Sequence, residues 1–247
     1  MKSIVAAVIF FISTSSVFAQ QSYFNTPSSE QTSSGRFFIQ EQINLSASAY
    51  ASNLTCVWGL KRNFEIGANL YGITWDRSLK KFVQQHDPNA GALFPSLLVN
   101  TQKFFHWNNH WVTTLGGQAG LDLDKTVAWH GQMWYLFSNT RFKNETLTAT
   151  GGLFLGNHQL FGKGYLLDFG PDGIPMGFQF GFEYKSPIKN FSVIFDRISG
   201  TNQMGVSVLG FGYRVQKNYI LSMGYQHPNV GSSNSRGIVL EFTRCIE

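Results

Sequence analysis

The stretch FQFGFEYKSPIKNFSVIFD runs from Phe178 to Asp196 and decides the fold of the chain. In its first half, aromatic residues alternate with small or polar ones, which places the aromatic side chains on one face of a β-strand. After a short basic turn around Pro187 the alternation resumes at Phe191, as expected for a hairpin. The two halves therefore predict antiparallel strands with one aromatic face and one polar face.

The composition of the 247-residue chain fits a protein built from such strands. Charged residues make up 13% of the sequence and aromatic residues 15%, yet the mean hydropathy is close to zero at -0.10. A typical soluble domain carries about 25% charged residues. Few charges with an average hydropathy predict that apolar and polar residues alternate finely. The net charge of +5 comes without a long basic run, so nucleic acid is not an expected partner.

The N-terminus predicts export from the cytoplasm. Lys2 precedes an apolar run from Ile4 to Ile12, and Val17-Phe18-Ala19 resembles a signal peptidase cleavage site. Residues 1–19 are interpreted as a signal peptide, because the apolar run is shorter than the ~20 residues of a membrane-spanning helix. Residues 20–35 are rich in Ser, Gln and Thr, and are expected to form a loosely ordered polar leader.

From residue 36 to the C-terminus, segments with a two-residue period follow one another. They predict twelve strands: Arg36–Ala49, Asn53–Leu60, Phe64–Trp75, Ala92–Lys103, His110–Leu121, Thr126–Thr140, Thr146–Gly156, Pro175–Lys185, Phe191–Ile198, Met204–Val215, Tyr219–Gln226 and Arg236–Thr243. The links after the even-numbered strands are short, and the longer links, after strands three, seven and eleven, all fall at the other end. This asymmetry is typical of outer-membrane barrels. The sequence predicts an all-β fold, a closed antiparallel up-and-down transmembrane β-barrel, in residues 36–247.

The faces of the strands distinguish a membrane barrel from a soluble fold. In a membrane barrel Phe178 and Phe180 contact lipid, and Gln179 lines the lumen. In a soluble β-sandwich or a lipocalin-like barrel the apolar face instead packs inward. Aromatic residues that flank the short turns favour the membrane barrel, because their amphipathic rings suit the bilayer interface. These pairs are Trp58 and Phe64, Phe104 and Trp111, Phe137 and Phe142, Tyr184 and Phe191, and Tyr213 and Tyr219.

Two strands fit this pattern poorly. Glu41 falls on the apolar face of the first strand, where a carboxylate facing lipid is costly. It is therefore expected either at the bilayer interface or turned inward by a bulge. The strand from Met204 to Val215 is apolar on both faces, which predicts either a bulge or a lumen filled by Val206 and Val208.

Two segments, QQSYFNTPSSE in the leader and the hairpin LKRNFEIGANLYG, are similar to parts of uncharacterised barrels of Bacteroidota-type bacteria. Over the whole mature chain, the pattern resembles the small outer-membrane β-barrels of Gram-negative bacteria. The resemblance implies a location in the outer membrane, with outer-membrane lipid as the partner of the apolar face. Such barrels usually end on an aromatic residue, whereas Phe242 is followed here by five more residues.

The sequence contains no arrangement that predicts catalysis. Lipid-modifying enzymes of the outer membrane need a His and a Ser close together at the lipid-facing surface. Neither His110 nor His130 has a lipid-facing Ser two residues away, so no enzyme activity and no catalytic residue is predicted. The two cysteines lack the spacing of metal ligands, and no metal or other cofactor is expected.

The inward-facing residues are the candidate functional residues. Six charged side chains near the short-turn end are predicted to form a mixed collar in the lumen: Arg36, Glu65, Glu183, Lys185, Arg214 and Glu241. Seven further polar residues are predicted to line the lumen: Gln42, Asn44, Asn100, Gln118, His130, Gln132 and Gln179. The collar is either an ion-pair network that fills a narrow barrel or a charge filter for a small solute. Arg36 and Glu241 are expected to meet where the first and last strands pair.

The predicted barrel is intermediate in width between eight-stranded barrels filled with side chains and open porins of ~16–18 strands. A polar and mostly uncharged lumen predicts a passive porin-like channel for small neutral solutes such as sugars. The alternative is a sealed structural barrel, or one whose external loops bind a partner. In the long link after strand seven, Leu160 and Phe161 suit either a lid or a binding surface.

We expect the mature protein to fractionate with the outer membrane and to migrate anomalously on gels unless it is boiled. Cell fractionation followed by electrophoresis with and without heating tests this. Recovery as a soluble periplasmic protein would favour the sandwich instead.

Overall fold

The computed structural model describes residues 23–82, 95–123, 132–161, 167–169, 174–202, 204–232 and 234–246, and the predicted signal peptide lies outside them. The strands within these ranges are β1 Phe37–Ser46, β2 Ala49–Leu60, β3 Phe64–Asp76, β4 Lys81–Phe82, β5 Ser96–His106, β6 Trp111–Asp122, β7 Gln132–Lys143, β8 Leu147–Gly156, β9 Leu167–Phe169, β10 Ile174–Lys185, β11 Phe191–Ile198, β12 Val206–Gln216, β13 Tyr219–Pro228 and β14 Gly237–Ile246. A short helix, α1, spans His158–Phe161. No helix in the described ranges is long and apolar enough to cross a membrane.

Twelve of these strands form a closed antiparallel barrel. Each long strand pairs with its neighbours along the chain, and β1 pairs with β14 to close the ring. The short strands lie outside the ring path, because β4 extends the end of β3 and β9 pairs only with β10. The prediction of a closed twelve-stranded up-and-down barrel is confirmed.

The short turns lie at one end of the barrel, as predicted, at residues 61–63, 107–110, 144–146, 186–190 and 217–218. Asparagine side chains shape two of them. The Asn108 carboxamide oxygen accepts hydrogen bonds from the backbone N–H groups of His110 and Trp111 at 2.8 and 2.9 Å. Asn144 accepts in the same way from Thr146 and Leu147 at 2.9 and 2.7 Å. These local bonds fix each reversal within a few residues.

The strands present their apolar face to the outside of the barrel. Phe178 and Phe180 are 39% and 37% exposed, whereas Gln179 between them is 1% exposed. A folded soluble core would show the opposite arrangement, so this face is the lipid-contacting belt of a transmembrane barrel. Two of the aromatic residues assigned above to the bilayer interface, Phe104 and Phe137, are buried inside instead, because alternation in β5 and β7 places them on the inner face.

Glu41 follows neither of the predicted alternatives. It stays on the outer face in the middle of β1, where the Ser52 hydroxyl donates a hydrogen bond to its carboxylate at 2.5 Å. The bulge that was expected in β1 lies in the neighbouring pair instead, where the register of β2 and β3 shifts between Ser52 and Leu54.

The interior contains two apolar clusters, which explains the strand that is apolar on both faces. Val206 and Val208 point inward and are buried, so the prediction of a filled lumen is confirmed, and a register shift also lies between Arg214 and Gln216. The first cluster consists of Tyr23, Phe24, Ile194, Val208 and Val239. The second consists of Leu98, Met133, Tyr135, Phe137, Phe154, Leu160, Phe161 and Ile198.

The two faces can be tested by placing the same charge on each. Phe180→Arg is expected to impair assembly, because arginine facing lipid near the bilayer midplane costs ~2–4 kcal/mol in such barrels. Asn44→Arg is the matched control, since Asn44 lines a cavity in the lumen. The measurement is the fraction of protein that shows a heat-dependent gel shift. Equal damage from the two substitutions would contradict the assignment of the faces.

Candidate functional site: the barrel lumen

Residues 23–35, here called the N-terminal segment, lie inside the barrel. The segment enters beside β1 at the short-turn end, where the Gly35 N–H donates to the carbonyl of Gly59 at 2.8 Å. From there it runs to mid-barrel, where Tyr23 and Phe24 are buried in the first apolar cluster. The expectation of a loosely ordered leader is wrong for these residues, because the barrel wall supplies partners for the segment's backbone and side chains.

Asp196 on β11 holds the inner end of the segment. Its carboxylate oxygen accepts hydrogen bonds from three consecutive backbone N–H groups, those of Phe24, Asn25 and Thr26, at 3.2, 2.5 and 2.8 Å. Successive amides that converge on one anion form a strong, charge-assisted site. The buried Asp196 carboxylate thus provides a hydrogen-bond acceptor for three backbone amides of a segment that forms no regular secondary structure.

The two aromatic rings of the segment pack against glycines of the barrel wall. A Cβ atom added at Gly210 or Gly224 would lie 2.8 or 2.9 Å from the Phe24 ring, and one at Gly181 would collide with Tyr23. Only glycine therefore permits the rings to approach the backbone of β10, β12 and β13. The Tyr23 hydroxyl also hydrogen-bonds the Thr150 hydroxyl at 3.0 Å.

At the short-turn end the segment is held by charges and amides. The Glu30 carboxylate pairs with Lys143 at 2.6 Å and with Arg141 at 3.3 Å. Arg141 also donates to the carbonyl of Ser29 at 3.0 Å. Three strands away in the ring, on β3, the Glu65 carboxylate accepts the backbone N–H of Thr32, and Asp196 lies on β11 on the far side. The segment therefore contacts strands on both sides of the barrel.

Helix α1 narrows the other half of the lumen. Asn157 caps the helix, because its carboxamide oxygen accepts the N–H of Leu160 at 3.2 Å. Phe161 stacks on Phe154 with ring centroids 5.2 Å apart and lies 5.8 Å from the Tyr135 ring. Leu160 and Phe161 were expected to form a lid or a binding surface, and they instead pack inside the barrel wall.

The remaining space is a cavity of about 140 Å³ between the segment, α1 and the wall. One side is apolar and includes Phe24, Tyr135 and Phe161. The other side carries carboxamides from β1, β2, β3, β5 and β6, namely Gln40, Gln42, Asn53, Asn69, Asn100, Gln102 and Gln118. A second cavity of about 110 Å³ shares Asn25, Asn53, Tyr71 and Met204 with it and extends toward the long-loop end.

Hydrogen bonds orient the carboxamides. Asn100 donates to Asn69 at 2.9 Å, and Asn69 donates to Gln118 at 2.6 Å. The carboxamide oxygen of Asn100 is buried without a protein partner and belongs to a residue that lines the cavity.

The structure brings together some of the predicted lining residues. Gln42, Asn100 and Gln118 line the first cavity and Asn44 the second. Gln179 belongs to a packed network instead, because it accepts a hydrogen bond from the Tyr135 hydroxyl at 2.5 Å and donates to Asn139. His130 and the side chain of Gln132 lie outside the described part of the chain.

Five of the predicted collar residues, Arg36, Glu65, Glu183, Lys185 and Arg214, lie within a few residues of the short turns, and Glu241 lies apart from them. Glu65 and Glu241 are buried, Arg36, Glu183 and Arg214 are half-buried, and Lys185 is exposed at the end of β10. Across the seam, Glu241 pairs with Gln42. Gln42 lies six residues from Arg36 along the strand, so at ~3.3 Å per residue Glu241 is ~20 Å from Arg36. The expectation that Arg36 meets Glu241 is therefore wrong. The reason is that β14 continues beyond Thr243 to Ile246, which places Glu241 in mid-strand.

Apart from Glu65, the charged residues that hold the segment were missed by sequence reasoning. Arg141 and Lys143 lie on β7, where the sequence interpretation placed a turn from residue 141 onward. Asp196 was detectable, because alternation from Ser192 places it on the inner face together with Ile194.

Neither protein-family models nor the sequences of curated proteins match this chain. In three dimensions the chain is similar to the KdgM porin, with a TM-score of 0.56 and 8% identity over 85% of this chain and 98% of that porin. The KdgM porin in complex with disordered oligogalacturonate gives a TM-score of 0.54 at 9% identity with the same coverage. The NanC porin gives 0.54 at 7% identity over 85% of this chain and 99% of its own. At these identities the similarity shows the fold, which is that of outer-membrane porin barrels.

Phe161→Ala is expected to destabilise the barrel, because loss of a buried aromatic ring typically costs ~3–5 kcal/mol. The temperature at which the heat-dependent gel shift occurs should fall. Phe82→Ala is the control, since Phe82 is 61% exposed on β4. An unchanged transition temperature for Phe161→Ala would show that α1 does not stabilise the lumen.

Proposed function

We propose that the chain is a porin-like channel of the outer membrane that passes small uncharged solutes. The observation that supports this most directly is the chemistry of the lumen. None of the described residues that line the two lumenal cavities is Asp, Glu, Lys, Arg or His. This inner part of the channel wall carries no formal charge and so gives no electrostatic preference for ions over neutral molecules, whereas the short-turn end of the lumen carries Glu30, Arg141 and Lys143.

The two sides of the first cavity favour a solute with both hydroxyl groups and an apolar surface. Carboxamides such as those of Asn100 and Gln118 donate and accept hydrogen bonds, as solute hydroxyls do. The rings of Tyr135 and Phe161 on the opposite side offer contact for C–H groups. Small sugars combine these properties, so they are the solute class that we propose.

The porin fold and the apolar outer belt support the outer membrane as the location and its lipid as the surrounding partner. A cleaved signal peptide and an origin in Bacteroidota-type bacteria remain predictions from the sequence. We propose a channel rather than an enzyme because the described residues that line the two inner cavities are uncharged, and their carboxamides and rings suit solute contact. The second candidate is a sealed barrel, and the position of the N-terminal segment in the lumen favours it.

Transport of matched solutes tests the charge preference. Liposomes that contain the protein are expected to swell faster in glucose than in glucuronate, because the two differ mainly in one carboxylate. The ratio of the two rates is informative even where the absolute rates are low. Faster entry of glucuronate would contradict the proposal of a channel for neutral solutes.

Gln118→Glu should make the channel select cations. A carboxylate there acts on a passing ion at a distance of several ångströms in a confined lumen, which is worth about 2 kcal/mol and thus on the order of tenfold in cation over anion permeability. The reversal potential across a planar bilayer under a salt gradient measures the change. Gln216→Glu is the matched control, because Gln216 is exposed at the end of β12. An equal shift from both variants would place Gln118 outside the path.

A further inference from the structure

We propose that the inner wall of the barrel is a binding site for the chain's own N-terminal segment, and that the channel is closed while the segment, anchored by Tyr23 and Phe24, is bound. This inference rests on the proposed function, because a closing segment requires a channel to close. The device is an autoinhibitory contact between residues 23–35 and the wall.

The segment separates two spaces along the lumen. Above it lies the carboxamide-lined cavity, whose floor includes Phe24, Asn25 and Pro27. Below it, at the short-turn end, lies a cavity of about 520 Å³ whose boundary includes Glu30 and Gln31. Phe24, Asn25 and Pro27 thus bound the upper space, and residues from Glu30 onward in the same segment bound the lower one. A solute that passes from one to the other has to displace the segment.

The barrel wall does not depend on the segment for its own integrity. The ladder of paired strands closes from β1 to β14 without any residue before Phe37. Besides its two buried rings, the segment is held by polar side chains of the wall, among them Asp196, Arg141 and Lys143. Release of the segment breaks these contacts and uncovers the rings of Tyr23 and Phe24, but it leaves the hydrogen bonds of the strand ladder intact.

Gly35 provides a point about which the segment can turn. Its φ of 82° lies in the left-handed region that glycine adopts without strain, and a Cβ there would meet nothing within 4 Å. The N–H of Gly59 bonds the carbonyl of Arg36 at 2.9 Å, which fixes the chain immediately after the turn. The residues before Gly35 can therefore move while β1 stays in place.

Tyr23→Ser combined with Phe24→Ser in the full-length protein tests the proposal. Loss of two buried rings should shift the equilibrium between bound and released segment by about a hundredfold. We expect the rate of liposome swelling in glucose to rise at least about tenfold over the parent protein. Leu79→Ser with Phe82→Ser is the matched control, because both residues are exposed on the hairpin at the opposite end.

Chemical protection of a thiol reports the position of the segment independently of transport. The native Cys56 and Cys245 form no disulfide with each other and are first replaced by Ser, and Thr26→Cys is then introduced. Thr26 is fully buried, so its replacement should be protected from a water-soluble maleimide. With the serine substitutions at positions 23 and 24 added, the same thiol should become labelled.

The outcomes separate this inference from the proposed function. A parent that already swells as fast as the double variant would overturn the closing role and leave the channel intact. Labelling of the thiol without swelling would overturn the channel, and with it the closing role. A thiol that stays protected in the double variant would show that Tyr23 and Phe24 are not the anchor.

Discussion

Inside a bilayer no water is available to backbone amides, so every N–H and C=O group must find its partner within the protein. The pairing of β1 with β14 meets this requirement, because it joins the two strands that would otherwise be edges over ten consecutive residue pairs. Once the sheet is closed, its two faces lie in different solvents. Phe178 and Phe180 then face lipid, and Gln179 between them faces the lumen. The cavities, the N-terminal segment and α1 exist as lumenal features only because this seam is complete.

A ring of this size leaves more room than its own side chains fill. The space is occupied from both ends, by the N-terminal segment at the short-turn end and by α1 toward the long loops. Glycines in the wall let the segment approach closely, since Gly210 and Gly224 leave space for the Phe24 ring. The interior consequently resembles a small protein core along one side and a hydrated, carboxamide-lined path along the other.

The strands and turns were predictable from sequence because both depend on local patterns. The period of two fixed the strands, and residues such as Asn108 and Asn144 mark the turns. The segment was not predictable, since its polar composition is typical of disorder and its partner Asp196 lies 172 residues from Phe24. The position of Glu241 was missed because it depends on the register of the seam. The aromatic residues inside β7 were missed because Met133 to Phe137 is apolar on both faces.

The wall glycines that make room for the rings of Tyr23 and Phe24 have a consequence for the order in which the barrel assembles. Tyr23 and Phe24, early in the sequence, bind a surface made by β10 to β13, which come late in it. That surface does not exist until those strands have paired with one another. Contacts between residues so far apart in sequence form slowly, since the entropy cost of closing a long loop must be met before the contacts can stabilise the chain. Docking of the N-terminal segment is therefore expected to follow insertion of the C-terminal strands, so that residues early in the sequence reach their native position late.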